Sequence, residues 1–197
     1  MTPKKWLIKE KPNPVAIEQM ASALNVNNIV AEMLIHRGIN TYDEARKFFR
    51  PDASDLHDPF LMQDMQAAVN RLEKAIANQE NILVYGDYDV DGTTAVTMVY
   101  DYLHQKNITA AYYIPDRYQE GYGVSEKGIR FAKENDFTLI ITLDCGIKAI
   151  EQCALAKDLN IDVIVCDHHQ PGEELPEAIV LNPKRIDCQY PYKELSG

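Results

Sequence analysis

Asn81-Ile82-Leu83-Val84-Tyr85-Gly86-Asp87-Tyr88-Asp89-Val90-Asp91-Gly92 is the stretch that decides the fold. Its first half is an aliphatic, β-branched run without polar alternation, the pattern of a strand covered on both faces. Its second half sets aspartates between two glycines. The same grammar returns twice. Thr138-Leu139-Ile140-Ile141-Thr142-Leu143 ends at Asp144, and Ile161-Asp162-Val163-Ile164-Val165-Cys166 ends at Asp167-His168-His169. Carboxylates gathered at three strand ends repel one another unless something cationic lies between them. A divalent-metal site is the economical explanation.

Working outward, strands are predicted near 81–85, 109–114, 138–143, 161–166 and 178–181, with helices near 93–106, 125–135 and 147–158. That alternation predicts an α/β fold, a parallel sheet with crossover helices on both faces. Ligands of such sheets gather beyond the carboxyl ends of the strands, beside the topological switch point. All three acidic clusters occupy that position. The preceding segment is helical: apolar spacing predicts helices over 15–24 and 27–37, with Gly38 as a stop. Thr41-Tyr42-Asp43-Glu44 predicts a capped start for 45–49, 51–59 reads as a loop, and Asp64 is expected to cap a helix running to Gln79. The expected organisation is a helical N-terminal section, 1–62, followed by an α/β domain, 63–197.

The 197 residues are 46% hydrophobic and 25% charged, an ordinary globular composition without an apolar run long enough to cross a bilayer. The basic start, Met1-Thr2-Pro3-Lys4-Lys5-Trp6, lacks the apolar core of a signal peptide, so a cytoplasmic location is expected. Cys145, Cys153, Cys166 and Cys188 show no zinc-ligand spacing and read as reduced core residues. The net charge of −10 argues against nucleic-acid binding by bulk electrostatics. It is uneven: residues 1–50 hold eight Lys/Arg against five Asp/Glu, residues 51–197 twelve against twenty-five. Bound cations would reverse the local sign at an acidic active site.

Asp87, Asp89 and Asp91 are spaced by two, and on an extended segment their side chains are expected on one side, with Gly86 and Gly92 allowing tight turns. A calcium-binding EF-hand also begins D-x-D-x-D-G, but it needs an acid at its twelfth position, where this chain has Met98. That reading is rejected. Adjacent His168 and His169 are expected to point in different directions, one toward metal and one toward a substrate phosphate, with Asp167 holding an imidazole tautomer. Oxygen-rich ligation with a single imidazole suits Mn²⁺ or Mg²⁺ better than zinc. Two ions roughly 3.5–4 Å apart would serve both halves of a phosphoryl displacement.

Together these residues resemble the signature motifs of the DHH phosphoesterase superfamily, whose members hydrolyse phosphoester or phosphoanhydride bonds with Mn²⁺ or Mg²⁺. Asp87-Tyr88-Asp89-Val90-Asp91-Gly92 is similar to its first motif, Asp144-Cys145-Gly146 to its second, and Asp167-His168-His169 to the naming triplet. The resemblance implies a two-metal site held by Asp89, Asp91, Asp144 and His168, with Asp87 in or beside the ligand set and Asp167 behind it. Catalysis would fall to Asp89, Asp91, Asp144, His168 and His169, with His169 on a phosphate.

Flanking segments resemble a branch that degrades single-stranded DNA from the 5′ end in repair and recombination. These are Trp6, Arg37-Gly38-Ile39, Asp58-Pro59-Phe60-Leu61-Met62, Ile114-Pro115-Asp116-Arg117, Glu120-Gly121-Tyr122-Gly123, Asn182-Pro183-Lys184-Arg185 and Glu194-Leu195-Ser196-Gly197. Single-stranded DNA would be the partner, with repair-pathway proteins and without a membrane. Arg117 would contact a phosphate, as guanidinium geometry allows. Tyr118 and Tyr122 are expected to pack, with base stacking as the alternative. Members of that branch continue with a further aspartate motif and nucleic-acid-binding domains, so this chain is expected to be an N-terminal piece, inactive alone if the site needs the rest. Two alternatives stand beside this reading: a hydrolase of pyrophosphate, short oligonucleotides or cyclic dinucleotides, and a non-catalytic binding module. The helical N-terminal section speaks against a compact small-substrate hydrolase.

Overall fold

The computed structural model describes Lys5 and residues 7–196, so Trp6 and Gly197, which contribute to the resemblance, lie outside the described residues. Two compact units result, Met1–Leu56 and His57–Gly197. The division falls ahead of the expected 62/63 boundary because the 3₁₀ turn Pro59–Leu61 packs against the helix that follows it.

The first unit holds α1 (Pro14–Leu24), α2 (Asn28–Ile35) and α3 (Tyr42–Phe49). Each begins on a capping side chain: Asn13 accepts from Val15 N–H, Asn27 from Val30 N–H, and Thr41 from Glu44 N–H. The Glu44 carboxylate in turn accepts from the Thr41 N–H, completing a capping box. α2 ends before the predicted Arg37, and Gly38, at φ +81°, turns the chain so that Ile39 N–H donates to the Leu34 carbonyl. Its small core gathers Ile17, Met20, Ala21 and Ala31.

The second unit runs α4 (Met65–Ala77), β1 (Asn81–Gly86), α5 (Val90–Gln105), β2 (Ala110–Tyr113), α6 (Glu126–Glu134), β3 (Phe137–Leu143), α7 (Ile150–Asp158), β4 (Asp162–Cys166) and β5 (Ile179–Leu181). The strands form one parallel sheet in the order β2-β1-β3-β4-β5. Because side chains alternate along a strand, each strand feeds two cores. Leu83, Tyr85, Ile140, Val163 and Val165 pack with Ile129 and Ala132 of α6 and Cys153 and Ala156 of α7. Ile82, Val84, Leu139, Ile141 and Ile164 pack with Ala68 and Ala75 of α4 and Val96 and Leu103 of α5. Full burial of one such side chain stabilises by about 1.5–3 kcal/mol, which is why the strands carry no polar alternation. The chain leaves β1 toward β2, then crosses to β3 on β1's other side, so the switch point lies between β1 and β3.

Three local expectations are corrected. Gly86 makes no turn: it is the last residue of β1, where a Cβ would collide with Val96. Gly92 lies within α5, and a Cβ there would sit 2.5 Å from the Asp87 carbonyl oxygen, so glycine lets the helix start directly against the strand end. Asp64 precedes α4 but does not cap it with its side chain; at φ 65° its carboxylate turns instead to Arg185, Nη1 to Oδ2 at 2.5 Å. The cysteines are free, and burial pushes the Cys153 thiol up to about 11. No helix among the described residues is long and apolar enough to cross a membrane.

Two ionic devices hold the sheet's ends. Near the carboxyl edge, buried Arg185 binds Asp64, the Val180 carbonyl (2.5 Å) and both oxygens of Asp187 (2.9 and 2.7 Å). At the amino edge, Arg71 of α4 bridges Asp162 (2.5 Å) and Glu80 (2.7 Å), and Glu80 also accepts from the Thr138 hydroxyl at 2.7 Å. Replacing Arg185 by alanine strands the Val180 carbonyl and two carboxylates; urea denaturation is expected to show a loss of about 2–3 kcal/mol. The Thr138 hydroxyl, with help from Arg71, holds the Glu80 carboxyl below the usual range. Its stabilisation is therefore complete above the ordinary glutamate pKa and drains away as pH falls through the lowered value. Glu80→Gln is expected to flatten that part of the acid dependence of the urea midpoint, and parallel profiles for the two proteins would refute the assignment.

Candidate metal centre

The sheet's register pairs Gly86 with Leu143, Leu143 with Cys166, and Cys166 with Leu181. The next residue on each strand is therefore level with its neighbours: Asp87, Asp144, Asp167 and Asn182 form one row just beyond the ladder. Backbone bonds carry the row, Asp144 N–H to the Cys166 carbonyl at 2.9 Å and Asp167 N–H to the Leu181 carbonyl at 3.0 Å. All four are buried, at 0, 1, 5 and 0% exposure respectively.

Two of these side chains are unsatisfied. Asp87 Oδ1 meets only the Gly123 N–H at 3.5 Å, and its Oδ2 has no partner. Asp144 adopts a left-handed backbone, φ 59°. His168 Nε2 approaches Asp144 Oδ1 to 3.1 Å, but not along a hydrogen-bonding direction, so that oxygen too is without a partner. Burial pushes the Asp144 carboxyl up to about 6, and the negative charge of Asp89 adds to the effect, while His168 and His169 oppose it. Buried carboxylate oxygens without donors are costly, and bound cations would relieve them; among the described residues the ligand atoms that converge are those of Asp144, His168 and His169, without Asp87. The donor set, carboxylates with imidazole, fits Mn²⁺ or Mg²⁺.

The first motif is not extended. α5 begins at Val90, with Asp89 as its N-cap accepting from Gly92 N–H at 3.0 Å and Asp91 in its first turn. Aspartate's capping preference, together with the room left by Gly92, starts the helix inside the motif. The three aspartates consequently do not share one side. Asp87 is buried in the row, Asp89 reaches Asp144 closely enough to raise its pKa, and Asp91 stands exposed.

The two imidazoles do not diverge either. β4 ends at Cys166, so His168 and His169 lie off the pleat. Their ring centroids are 4.6 Å apart, and one atom from each of Asp144, His168 and His169 falls within 4.8 Å of the others. Asp167 acts on His169: its Oδ1 takes Nδ1–H at 2.7 Å and the backbone N–H at 3.0 Å, while Oδ2 takes Ile147 N–H at 2.9 Å. With the Nδ1 proton committed to Asp167, Nε2 is the nitrogen turned outward.

Tyr88 adds what the sequence reading did not assign, and Tyr122, expected to pack, is 57% exposed and meets the site through its hydroxyl. The Tyr122 hydroxyl lies 3.2 Å from His169 Nε2, and although much of the ring is exposed, desolvation of its hydroxyl end and the charges of Asp87 and Asp144 push its pKa upward, so it stays a phenol. Gly121 and Gly123, both at positive φ, were the signal that this loop has a shape to keep. Tyr88 meets Tyr122 edge to face and carries the Arg117 guanidinium 5.3 Å above its ring. Tyr118, expected to pack, is 95% exposed instead. A cavity of about 260 Å³ opens between Tyr122, Gly146, Lys148, Gln152, Asp167 and His169. A larger one, about 640 Å³, lies at the amino edge around Asp162 and Glu177, lined by none of the candidate residues.

Residues 81–197 match the family described as the DHH family, N-terminal domain. The single-stranded-DNA-specific exonuclease RecJ of Bacillus subtilis (strain 168) is 41% identical over 194 residues, 98% of this chain and 25% of its own length. The RecJ of Thermus thermophilus in complex with Mn²⁺ superposes with a TM-score of 0.68 at 25% identity, over 91% of this chain and 25% of that one. A second structure, exonuclease RecJ bound to manganese, gives 0.62 at 30% identity, over 67% of this chain and 34% of that one. The chain spans about a quarter of the length of the curated relatives it matches.

The raised pKa of Asp144 means that its charge opposes folding at any pH above about 6 when no cation is bound. Asp144→Asn, which tolerates the same backbone, is expected to raise metal-free stability at neutral pH by about 2 kcal/mol. The check is urea denaturation in the presence of a chelator, and an unchanged or lower midpoint would reject the reading.

Proposed function

This chain belongs to the DHH family, and we propose that it is the metal-binding catalytic part of an exonuclease that degrades single-stranded DNA 5′→3′ in repair and recombination in the cytoplasm. The observation that carries this is the pair of orphaned buried oxygens, Asp87 Oδ2 and Asp144 Oδ1, in one row at the switch point of the sheet. The likeness to manganese-bound RecJ structures and to curated RecJ exonucleases supports the cofactor and the substrate class.

Asp87, Asp89, Asp91, Asp144 and His168 are the proposed ligands. When bound, divalent ions lower the pKa of water and offset charge on phosphoryl oxygens. The chain's own residues do the rest. Asp167 fixes the His169 ring, and Nε2, which meets the Tyr122 hydroxyl at 3.2 Å, would donate to a phosphate oxygen once it carries a proton and the phosphate takes that hydroxyl's place. Until then Tyr122 holds the outer side of that ring. Arg117, resting on Tyr88, offers a fork of donors to a second phosphate. Exposed Tyr118 presents a ring face for a base.

The test is full-length protein with Mn²⁺ on single strands labelled at one end or the other. Nucleotides are expected to leave from the 5′ end, and Asp89→Ala or Asp144→Asn is expected to slow release by more than about a hundredfold. Release from the 3′ end, or pyrophosphate and cyclic dinucleotides cleaved in preference to the oligonucleotide, would overturn the reading, as would an Asp89→Ala variant as fast as the parent.

A further inference from the structure

We propose that Asn182 is a positioning residue for the candidate metal centre, clamping the His168–His169 turn without touching ion or substrate; the assignment rests on the metal-centre reading above. Asn182 is the fourth member of the buried row and the one that carries no charge. Its Nδ2 donates to the His169 carbonyl at 2.9 Å, and its Oδ1 accepts from Lys184 N–H at 2.8 Å. His169 is thereby held at three points: its N–H and its ring by Asp167, its carbonyl by Asn182.

The chemistry explains why an amide stands here. The His169 carbonyl needs a donor and the Lys184 N–H needs an acceptor, and a carboxylate supplies only the second. A fourth acid would also add to the repulsion that already raises the Asp144 pKa. Support for Asn182 comes from behind, since Cys166 pairs with Leu181 and Arg185 grips the Val180 carbonyl. The stiffness of β5 thus reaches the imidazole through one amide. Loss of the clamp frees the peptide after His169, and the ring can then leave Asp167. Groups that orient a metal-site histidine commonly change metal affinity by about 10–100-fold when removed.

A simpler account holds that Asn182 only shapes the turn into Lys184. Asn182→Asp separates the two, because it keeps the acceptor for Lys184 N–H and deletes the donor to His169; the charge it adds would by itself strengthen cation binding, so a fall in affinity reports the lost donor. Two readouts apply to this chain: calorimetric titration with Mn²⁺ alone, and the His169 Nδ1–H resonance in the metal-free protein. The parent is expected to show a slowly exchanging Nδ1–H signal. In Asn182→Asp that signal should be lost and Mn²⁺ affinity should fall about 10–100-fold, whereas Ile129→Val, destabilised in the core away from the row, should keep both. A folded Asn182→Asp protein that retains signal and affinity would overturn the proposal. Should that variant not fold, the parent decides: Asn182 side-chain amide protons that exchange as fast as those of exposed Gln170 would equally overturn it. A parent that binds no Mn²⁺ would sink the metal-centre reading instead, while the resonances still decide the clamp.

Discussion

Parallel register between β1, β3, β4 and β5 is the constraint from which the rest follows. It fixes where each strand ends relative to its neighbours, and so it sets Asp87, Asp144, Asp167 and Asn182 level. The doubly covered, β-branched strands behind them cannot slip by a residue without exchanging the contents of the two cores. Hydrophobic packing therefore does electrostatic work at a distance, since it holds like charges close together that would otherwise separate.

That arrangement divides roles among residues of the same type. Asp167 is fully hydrogen-bonded and orients His169; Asp87 and Asp144 are buried with oxygens to spare; Asp89 caps a helix at the surface. The environment, more than residue identity, separates a scaffold acid from a candidate ligand. The side chains around them extend the same logic outward, from His169 through Tyr122 and Tyr88 to Arg117.

Much of this was legible in the sequence, for physical reasons. Long apolar runs with an acid at the end can satisfy burial and charge only as central parallel strands, so the sheet, its helices and the strand-end location of the acids were readable. Spacing misled where it assumed an extended backbone. Asp89 is a better helix cap than strand residue, and the chain leaves the pleat after Cys166, so neither the aspartate triplet nor the histidine pair follows a period of two. Asn182 was hidden because an amide before a proline reads as a turn. Its partner, the His169 carbonyl, is a backbone group without a sequence signature. Tyr88 was hidden for a related reason, as its stacking under Arg117, a residue the sequence did point to, joins two loops distant in the chain.

The left-handed backbone at Asp144 carries a consequence for how this kind of chain can drift. Few side chains accept that torsion without strain; glycine does, and asparagine and aspartate do so far better than branched or bulky residues. Neutral change at this position is thus funnelled toward a narrow set. A lineage that abandoned the chemistry would carry Asn or Gly here long before any larger residue, leaving a readable trace of the lost function in an otherwise intact sheet.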